Sequence, residues 1–153
     1  MAPAVAAADN RATEDRRALR GRTAGERVRL LIAHGDAGSR DALREMTRDL
    51  TCLGLEPVEC GEGTHAMSLL LAANAPALAI VDWDLPGGGG PELCRQLRAV
   101  RHSRPPYVIL LAPSEDHVGE AFDAGADDCV QAAAGGHELQ ARIVAARRLA
   151  ALA

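Results

Sequence analysis

The stretch that decides the fold is LAIVDWDLP, residues 78–86. Four apolar residues lead directly into Asp82, and Pro86 follows four residues later. Four glycines at 87–90 separate Pro86 from a second proline, Pro91. A short apolar run bounded by turn residues predicts a buried strand. Open α/β sheets place their binding and chemistry beyond the carboxyl ends of the strands. The stretch therefore predicts a carboxylate, that of Asp82, at the functional edge of a parallel sheet.

Apolar runs and helical patterns alternate on both sides of this stretch. We predict strands over Val28–Ala33, Leu55–Cys60, Ala77–Val81, Tyr107–Ala112 and Cys129–Gln131. We predict helices from a Ser39 cap to Leu53, and over Thr64–Asn74, Pro91–Val100, Ser114–Ala124 and Gly136 to about Ala150. Strands that are apolar throughout and separated by helices indicate a parallel sheet covered on both faces. We therefore expect a flavodoxin-like doubly wound α/β fold of five parallel strands in the order 2-1-3-4-5 with five helices.

Length and composition predict one folded domain and a tail. Residues 1–26 lack large apolar periodicity and are expected to form a disordered or loosely helical tail, and residues 27–153 the domain. A net charge of −4 argues against nucleic acid as a partner, and no apolar run is long enough to span a membrane. With no signal peptide pattern, we expect a cytoplasmic protein. The cysteines, at 52, 60, 94 and 129, are not at metal-ligand spacing and are expected to be reduced.

Two motifs in the right order resemble the receiver domain of bacterial two-component response regulators, the CheY-like fold. The first is Asp-Trp-Asp-Leu-Pro at 82–86 with Gly90 four residues after the proline, and the second is Gly-Ala-Asp-Asp at 125–128. The likeness covers roughly residues 27–150. It implies a signalling module and not an enzyme, in which Asp82 is equivalent to the aspartate that accepts a phosphoryl group from a histidine kinase with the help of Mg²⁺.

The acidic pocket that this resemblance implies is degenerate. Two acidic residues after strand one supply the family's metal site, whereas this chain has His34 and Gly35 there and only Asp36, one place later, is acidic. An imidazole does not replace a hard carboxylate ligand for Mg²⁺. Asp84 stands where the family uses a backbone carbonyl, and we interpret it as a surface acid. We therefore predict no metal site, unless Asp36, Asp82 and Asp84 rebuild one.

The other helper positions of the resemblance are also replaced. Leu111 stands where the family has a hydroxyl at the end of strand four, and Ala132 stands where it has a strand-five lysine. All seventeen basic residues are arginine, so no other alignment supplies that lysine. Cys129 matches the aromatic that reports the phosphorylated state in many receivers. Of the main site residues, only Asp82 remains.

The sequence thus predicts a pseudo-receiver that acts by protein–protein contact, with no cofactor and without conventional phosphorylation. The expected contact surface for a partner, or for a second copy of the chain, is the face of helix four, strand five and helix five. One alternative is a receiver phosphorylated on Asp82 by a histidine kinase or phosphotransferase, and another is a small anion- or nucleotide-binding module using the Gly35–Ser39 turn. The predicted face carries His117, Glu120, Asp123, Gln131, Arg142 and Arg147.

Overall fold

The chain folds around one five-stranded parallel sheet. The computed structural model of the protein describes residues 27–50, 53–102, 104–133 and 135–152. The strand order is β2-β1-β3-β4-β5, which confirms the predicted doubly wound topology. The edge position of β2 agrees with Pro57, which has no N–H to donate to a second neighbour. The strands are β1 Val28–Ala33, β2 Leu55–Cys60, β3 Leu78–Asp82, β4 Tyr107–Ala112 and β5 Asp128–Gln131.

Helices cover both faces of the sheet. Within the described residues they are α1 Ala37–Arg48, α2 Gly63–Leu70, α3 Gly90–Ala99, α4 Val118–Ala124 and α5 Gly136–Leu152. Alternate residues of β3 point in opposite directions, so that Val81 packs in the core layer with α2, α3 and α4, while Ile80 packs with α1 and α5. Both side chains are fully buried. The central strands are apolar throughout because both of their faces are covered.

The first helix begins earlier and ends earlier than the sequence predicts. Asp36 is its N-cap, and the Ser39 backbone N–H donates to the Asp36 carboxylate at 2.8 Å, so the predicted cap at Ser39 is wrong. Both residue types favour the N-cap, and the sequence does not show which one holds the extended backbone that a cap needs. The helix ends at Arg48 and does not continue to Leu53. Residues 51 and 52 lie outside the described part of the chain.

The second helix is also shorter than predicted, because it ends at Leu70 and not at Asn74. A tight turn follows in which the Ala72 N–H donates to the Leu69 carbonyl, and Pro76 then lies two residues before β3. From Ala72 onward the backbone N–H groups of Ala72 and Ala75 donate to the residue three positions earlier and not four, so the α-helical hydrogen bonding ends before Asn74. Before α4, residues Glu115–His117 form a 3₁₀ turn where the sequence predicts a continuous helix.

Other boundaries follow the sequence closely. The left-handed φ of 106° at Gly125 ends α4 as predicted. The described cysteines, at 60, 94 and 129, form no disulfide, and Cys52 lies outside the described residues. The prediction of a tail over residues 1–26 also falls outside them. In the described part of the chain, no helix is long and apolar enough to cross a membrane.

Candidate functional site

The candidate site lies at the carboxyl edge of the sheet, around Asp82. This residue ends β3 beside Leu111 of β4, and the side chain of Asp82 keeps 16% of its surface exposed. The following N–H, that of Trp83, donates to the Leu111 carbonyl at 3.0 Å and holds the end of the strand in place. Gly90 packs closely against the backbone of Asp82, since a Cβ at position 90 would come within 2.6 Å of the Asp82 carbonyl oxygen. The carboxylate is therefore fixed at the edge where parallel sheets carry their sites.

A histidine occupies the place beside this carboxylate. His34 Nε2 lies 3.6 Å from Asp82 Oδ1, and the His34 side chain is only 19% exposed. On the other side of the ring, Nδ1 accepts the Asp36 backbone N–H at 3.0 Å. An accepting Nδ1 leaves the ring proton on Nε2, which is the nitrogen that faces Asp82. The 3.6 Å separation is too long for a hydrogen bond, so the contact is electrostatic. The sequence predicts both residues at this edge, and the structure brings them together.

An arginine network holds the loop that carries His34. Arg40 Nη1 donates to the His34 carbonyl at 2.6 Å, and Arg40 Nε lies 3.8 Å from Glu59 Oε1. Arg44 Nη1 donates to the other oxygen of Glu59 at 2.8 Å. The guanidinium groups thus tie α1 to β2, and Arg40 fixes the backbone of the loop between β1 and α1. Sequence reasoning missed Arg40 and Glu59. The usable signal was an arginine in the first turn of the helix that follows His34.

Gly35 leaves no space for a second acidic side chain. A Cβ at Gly35 would lie 2.8 Å from Pro86 Cδ and 2.9 Å from Pro86 Cγ. The backbone of Pro86 is also fixed, since the Gly63 N–H donates to the Pro86 carbonyl at 2.7 Å. Pro86 therefore packs against the loop after β1 and the start of α2 at once. The position where the resemblance implies a metal ligand is filled by this proline.

The carboxylate of Asp36 is engaged within its own turn. It caps α1, accepting both the N–H and the Oγ–H of Ser39 at 2.8 Å. The Ser39 side-chain hydrogen bond, followed by the Ser39 backbone hydrogen bond, lowers the pKa of this exposed carboxyl below its usual value. In the Gly35–Ser39 turn, the N–H and hydroxyl donors of Ser39 thus bind the Asp36 carboxylate of the same turn. A negative charge already occupies the place where an anion would bind, which removes support from the nucleotide alternative at this turn.

The residues present do not fit Mg²⁺. Asp84 lies exposed in the loop after β3, and Asp36 is used as a helix cap. Among the described residues, no group of three or more His, Cys, Asp or Glu side chains is arranged to hold a metal ion. Mg²⁺ requires near-octahedral oxygen coordination, whereas Asp82 has an imidazole as its neighbour. The three acidic residues that the sequence predicts near one edge therefore do not form a metal-binding group in the described part of the chain.

The residues that the sequence predicts at the helper positions lie at the ends of β4 and β5 and within β5. Leu111 is 6% exposed and stands in register with Asp82. Ala132 is exposed one residue beyond β5, and its N–H donates to the Ala112 carbonyl at 2.8 Å. Cys129 is half-buried in β5, where burial and then the neighbouring Asp128 carboxylate raise the pKa of its thiol. The two side chains at the hydroxyl and lysine positions have no polar atom to offer a phosphoryl group.

An aromatic contact joins the site to the start of α4. The rings of Trp83 and His117 meet edge to face with centroids 4.8 Å apart. Ser114 Oγ lies 3.0 Å from His117 Nδ1 and holds the imidazole from the other side. His117 is therefore half-buried against Trp83, where the sequence predicts a residue of the contact face. Sequence reasoning missed this contact because it joins residues that are 34 positions apart.

The predicted face of α4, β5 and α5 needs one correction. Arg147 is only 3% exposed, and its Nε donates to the Leu53 carbonyl at 3.1 Å, so it belongs to the interior beside α1. The seventeen-residue helix turns this position inward together with Ile143 and Ala146. Arg142 remains exposed and lies 3.6 Å from Asp128 on β5.

Two apolar side chains that the sequence prediction omitted lie exposed on α4. Val118 is 37% exposed and Phe122, the only phenylalanine of the chain, is 48% exposed. They are four residues apart and so share one side of the helix. Glu120 and Asp123 are exposed on the same helix, and Gln131 is half-buried at the end of β5.

Comparisons with known proteins bear on this arrangement. Residues 30–144 match the family model described as "Response regulator receiver domain". "Response regulator MprA" from Mycobacterium sp. (strain KMS) is 35% identical over 124 residues, which are 79% of this chain and 51% of that protein. The chain therefore spans about half the length of the curated relatives it matches.

Solved structures resemble the fold. The signal receiver domain of a putative LuxO repressor protein from Vibrio parahaemolyticus superimposes with a TM-score of 0.71 at 19% identity, over 82% of this chain and 94% of that one. A putative response regulator from Chloroflexus aurantiacus J-10-fl gives a TM-score of 0.71 at 24% identity, over 80% and 98% of the two chains. These similarities concern the backbone fold. The chemistry of the site depends on the side chains of this chain.

Proposed function

We propose that this chain, which belongs to the response regulator receiver domain family, is a pseudo-receiver that signals by protein–protein contact without Mg²⁺-dependent phosphorylation of Asp82. Receiver domains are signalling modules of two-component systems and interact with histidine kinases and other proteins. The proposal concerns how this member works within that role.

The observation that carries the proposal is the His34–Asp82 pair. Phosphoryl transfer depends on positioning and on cations that neutralise the developing charge. The carboxylate that would accept the phosphoryl group has an imidazole at 3.6 Å, and Pro86 blocks a side chain at Gly35. The side chains around Asp82 therefore support a site that protein contacts hold fixed better than a site that depends on a metal ion.

The replaced helper residues support the same proposal. The apolar side chain of Leu111 lies beside Asp82, and Ala132 has no charge to place at the end of β5. Removal of one hydrogen-bond donor that stabilises developing charge costs about 2.7–4 kcal/mol in an acyl-transfer active site, and this sets the scale for one missing contact. Losses of this size in several contacts would make phosphorylation of Asp82 slower by many orders of magnitude.

The surface of α4, β5 and α5 is the contact face in this proposal. Val118 and Phe122 are exposed apolar side chains on α4, Glu120 and Asp123 are exposed on the same helix, and Arg142 is exposed on α5. Exposed apolar side chains together with polar groups are typical of protein interfaces, and charges of both signs do not suit nucleic acid.

The decisive experiment is exposure of the purified chain to acetyl phosphate and MgCl₂, followed by intact-mass measurement. We expect no gain of a phosphoryl group by the wild type, with Asp82→Asn as the matched control. A known phosphoaccepting receiver treated in parallel shows that the reagent is active. Stable phosphorylation of the wild type that is lost in Asp82→Asn would refute the proposal and establish the phosphoacceptor alternative.

The contact face is tested separately with Phe122→Asp and a matched control, Val100→Asp. Val100 is 42% exposed, close to the 48% of Phe122, but it lies at the end of α3. Binding to a purified histidine kinase and self-association are measured by sedimentation velocity. We expect Phe122→Asp to weaken complex formation and Val100→Asp to leave it unchanged. Equal effects of the two variants, or none, would show that this face is not the interface.

A further inference from the structure

The imidazole of His34 makes two contacts that favour different protonation states. Its Nδ1 accepts the Asp36 backbone N–H at 3.0 Å, and only an unprotonated ring nitrogen can accept a hydrogen bond. Its Nε2 lies 3.6 Å from Asp82 Oδ1, where the carboxylate would attract a positively charged ring. The first contact therefore suits the neutral imidazole, and the second suits the imidazolium.

The backbone of His34 is fixed independently of the charge on its ring. The His34 N–H donates to the Cys60 carbonyl at 3.1 Å, and the His34 carbonyl accepts from Arg40 Nη1 at 2.6 Å. Neither hydrogen bond involves the imidazole. A change of charge on the ring therefore acts on the ring itself and on the Asp36 N–H that it holds, while the end of β1 stays in place.

Charged and titratable groups approach this ring from four segments of the chain. Asp82 contributes a carboxylate from β3, and Asp36 contributes one from the loop after β1 that interacts electrostatically with the imidazole. On α1, Arg40 carries a positive charge, and Glu59 of β2 lies 3.8 Å from it. Burial raises the pKa of the Cys60 thiol of β2, which therefore stays neutral. Because Glu59 offsets Arg40, the two aspartates provide the net charge that a proton on the ring would meet.

We propose that His34 is a pH-sensitive switch, in which the neutral ring holds the Asp36 N–H at the start of α1 and the protonated ring releases this N–H and pairs with Asp82. Imidazole is the side chain that ordinarily changes its charge between pH 5 and 8. A proton on Nδ1 converts this nitrogen from an acceptor into a donor, so the Asp36 N–H loses its partner. The proposal goes beyond the proposed function, because it concerns a proton on His34 and holds or fails independently of phosphorylation of Asp82.

The test is an NMR titration of the isotope-labelled full chain over the range in which imidazole titrates, from about pH 8 to about pH 5. At the upper end we expect the His34 ring proton on Nε2. As the pH falls, the Asp36 amide resonance should shift with the same midpoint as the His34 ring. The protection of this amide from hydrogen exchange, corrected for the intrinsic rate at each pH, should fall about tenfold when its hydrogen bond is lost. Hydrogen bonds from Ser39 lower the pKa of the Asp36 carboxyl, so its own titration lies below this range.

Three variants separate the switch from a general effect of acid. In Asp82→Asn, the ring should bind its proton at least about threefold more weakly, because the attracting charge is gone. In His34→Asn, the side-chain oxygen can still accept the Asp36 N–H but does not titrate, so the Asp36 amide should not respond to pH. The matched control is His65→Asn, an exposed histidine in the first turn of α2, which should leave the transition unchanged.

Four results would each overturn the proposal. The first is a His34 ring proton on Nδ1 at the upper end of the titration, and the second is a ring that stays neutral throughout. The third is an Asp36 amide that does not respond while the His34 ring titrates, or that responds equally in His34→Asn. The fourth is an unchanged midpoint in Asp82→Asn, which would show that the protonated ring does not pair with this carboxylate.

Discussion

Substitution of Gly35 by alanine is expected to destabilise the protein, although it adds only one methyl group at the surface. The added Cβ would lie 2.8 Å and 2.9 Å from two ring carbons of Pro86. Carbon atoms in favourable contact are about 3.5–4.0 Å apart, so the contact is too short by at least about 0.6 Å. A proline ring does not rotate away, and the Gly63 N–H holds its carbonyl at 2.7 Å.

Overpacking of this kind costs about 1–3 kcal/mol of the free energy of unfolding. In a chain of this length, 1 kcal/mol corresponds to about 2–4 °C in Tm, so we expect a decrease of about 2–12 °C. Gly38→Ala is the matched control three residues later. Gly38 lies in the first turn of α1, and a Cβ there would meet only Asp36 Oδ2, at 3.4 Å. Alanine at this helical position is expected to be neutral or stabilising by up to about 1 kcal/mol.

Urea unfolding, followed by circular dichroism, measures the free energy of unfolding of Gly35→Ala and Gly38→Ala. Pro86→Ala and the double variant Gly35→Ala/Pro86→Ala are measured in the same way. Removal of the proline ring should reduce the cost of Gly35→Ala, so the two changes should not be additive. Gly35→Ala with wild-type stability, or the same cost with and without Pro86, would refute the steric reasoning. It would also remove the argument that Pro86 excludes a second acidic side chain from the site.

Three further predictions concern residues away from that contact. Burial raises the pKa of the Cys94 thiol to about 11, so iodoacetamide at pH 8 should leave Cys94 unmodified in the folded protein while the less buried Cys129 reacts, as read by peptide mass mapping. Asp36→Ala should lower the Tm; because folding lowers the pKa of this carboxyl, the difference should be complete above its ordinary pKa of about 3.9 and should shrink in more acidic buffer. Arg147→Glu should cost about 3–5 kcal/mol because Arg147 is buried, whereas Arg142→Glu should cost no more than about 1 kcal/mol, as measured by urea unfolding.

The resemblance and the position of Asp82 could be obtained from the sequence because they depend on local pattern. Apolar runs report buried strands, and Gly125 marks the end of α4 because its left-handed φ strongly favours glycine. The absence of lysine is a property of the whole chain and needs no structure. The sequence also shows that His34 and Gly35 stand where acidic residues are expected.

Other features depend on contacts between distant segments. The end of α2 and the inward turn of Arg147 follow from where neighbouring elements lie, and periodicity alone does not report them. Leu149 has the helical spacing of an apolar residue three positions after the buried Ala146, yet it is 50% exposed. A side chain of amphipathic character such as arginine is assigned to the surface by default, and only packing reveals the exception.

The sequence by itself determined the order of strands and helices and the carboxylate at the end of β3, and it predicts the replacement of the helper side chains that the resemblance implies. Only the tertiary structure decided what surrounds that carboxylate. It engaged the Asp36 carboxylate as the cap of α1, brought His34 Nε2 to 3.6 Å from Asp82 and placed Pro86 against Gly35. The physical reason is that local hydrogen bonds and apolar periodicity act between near neighbours in the chain. The orientation of a side chain at a sheet edge instead results from the loops that several strands bring together.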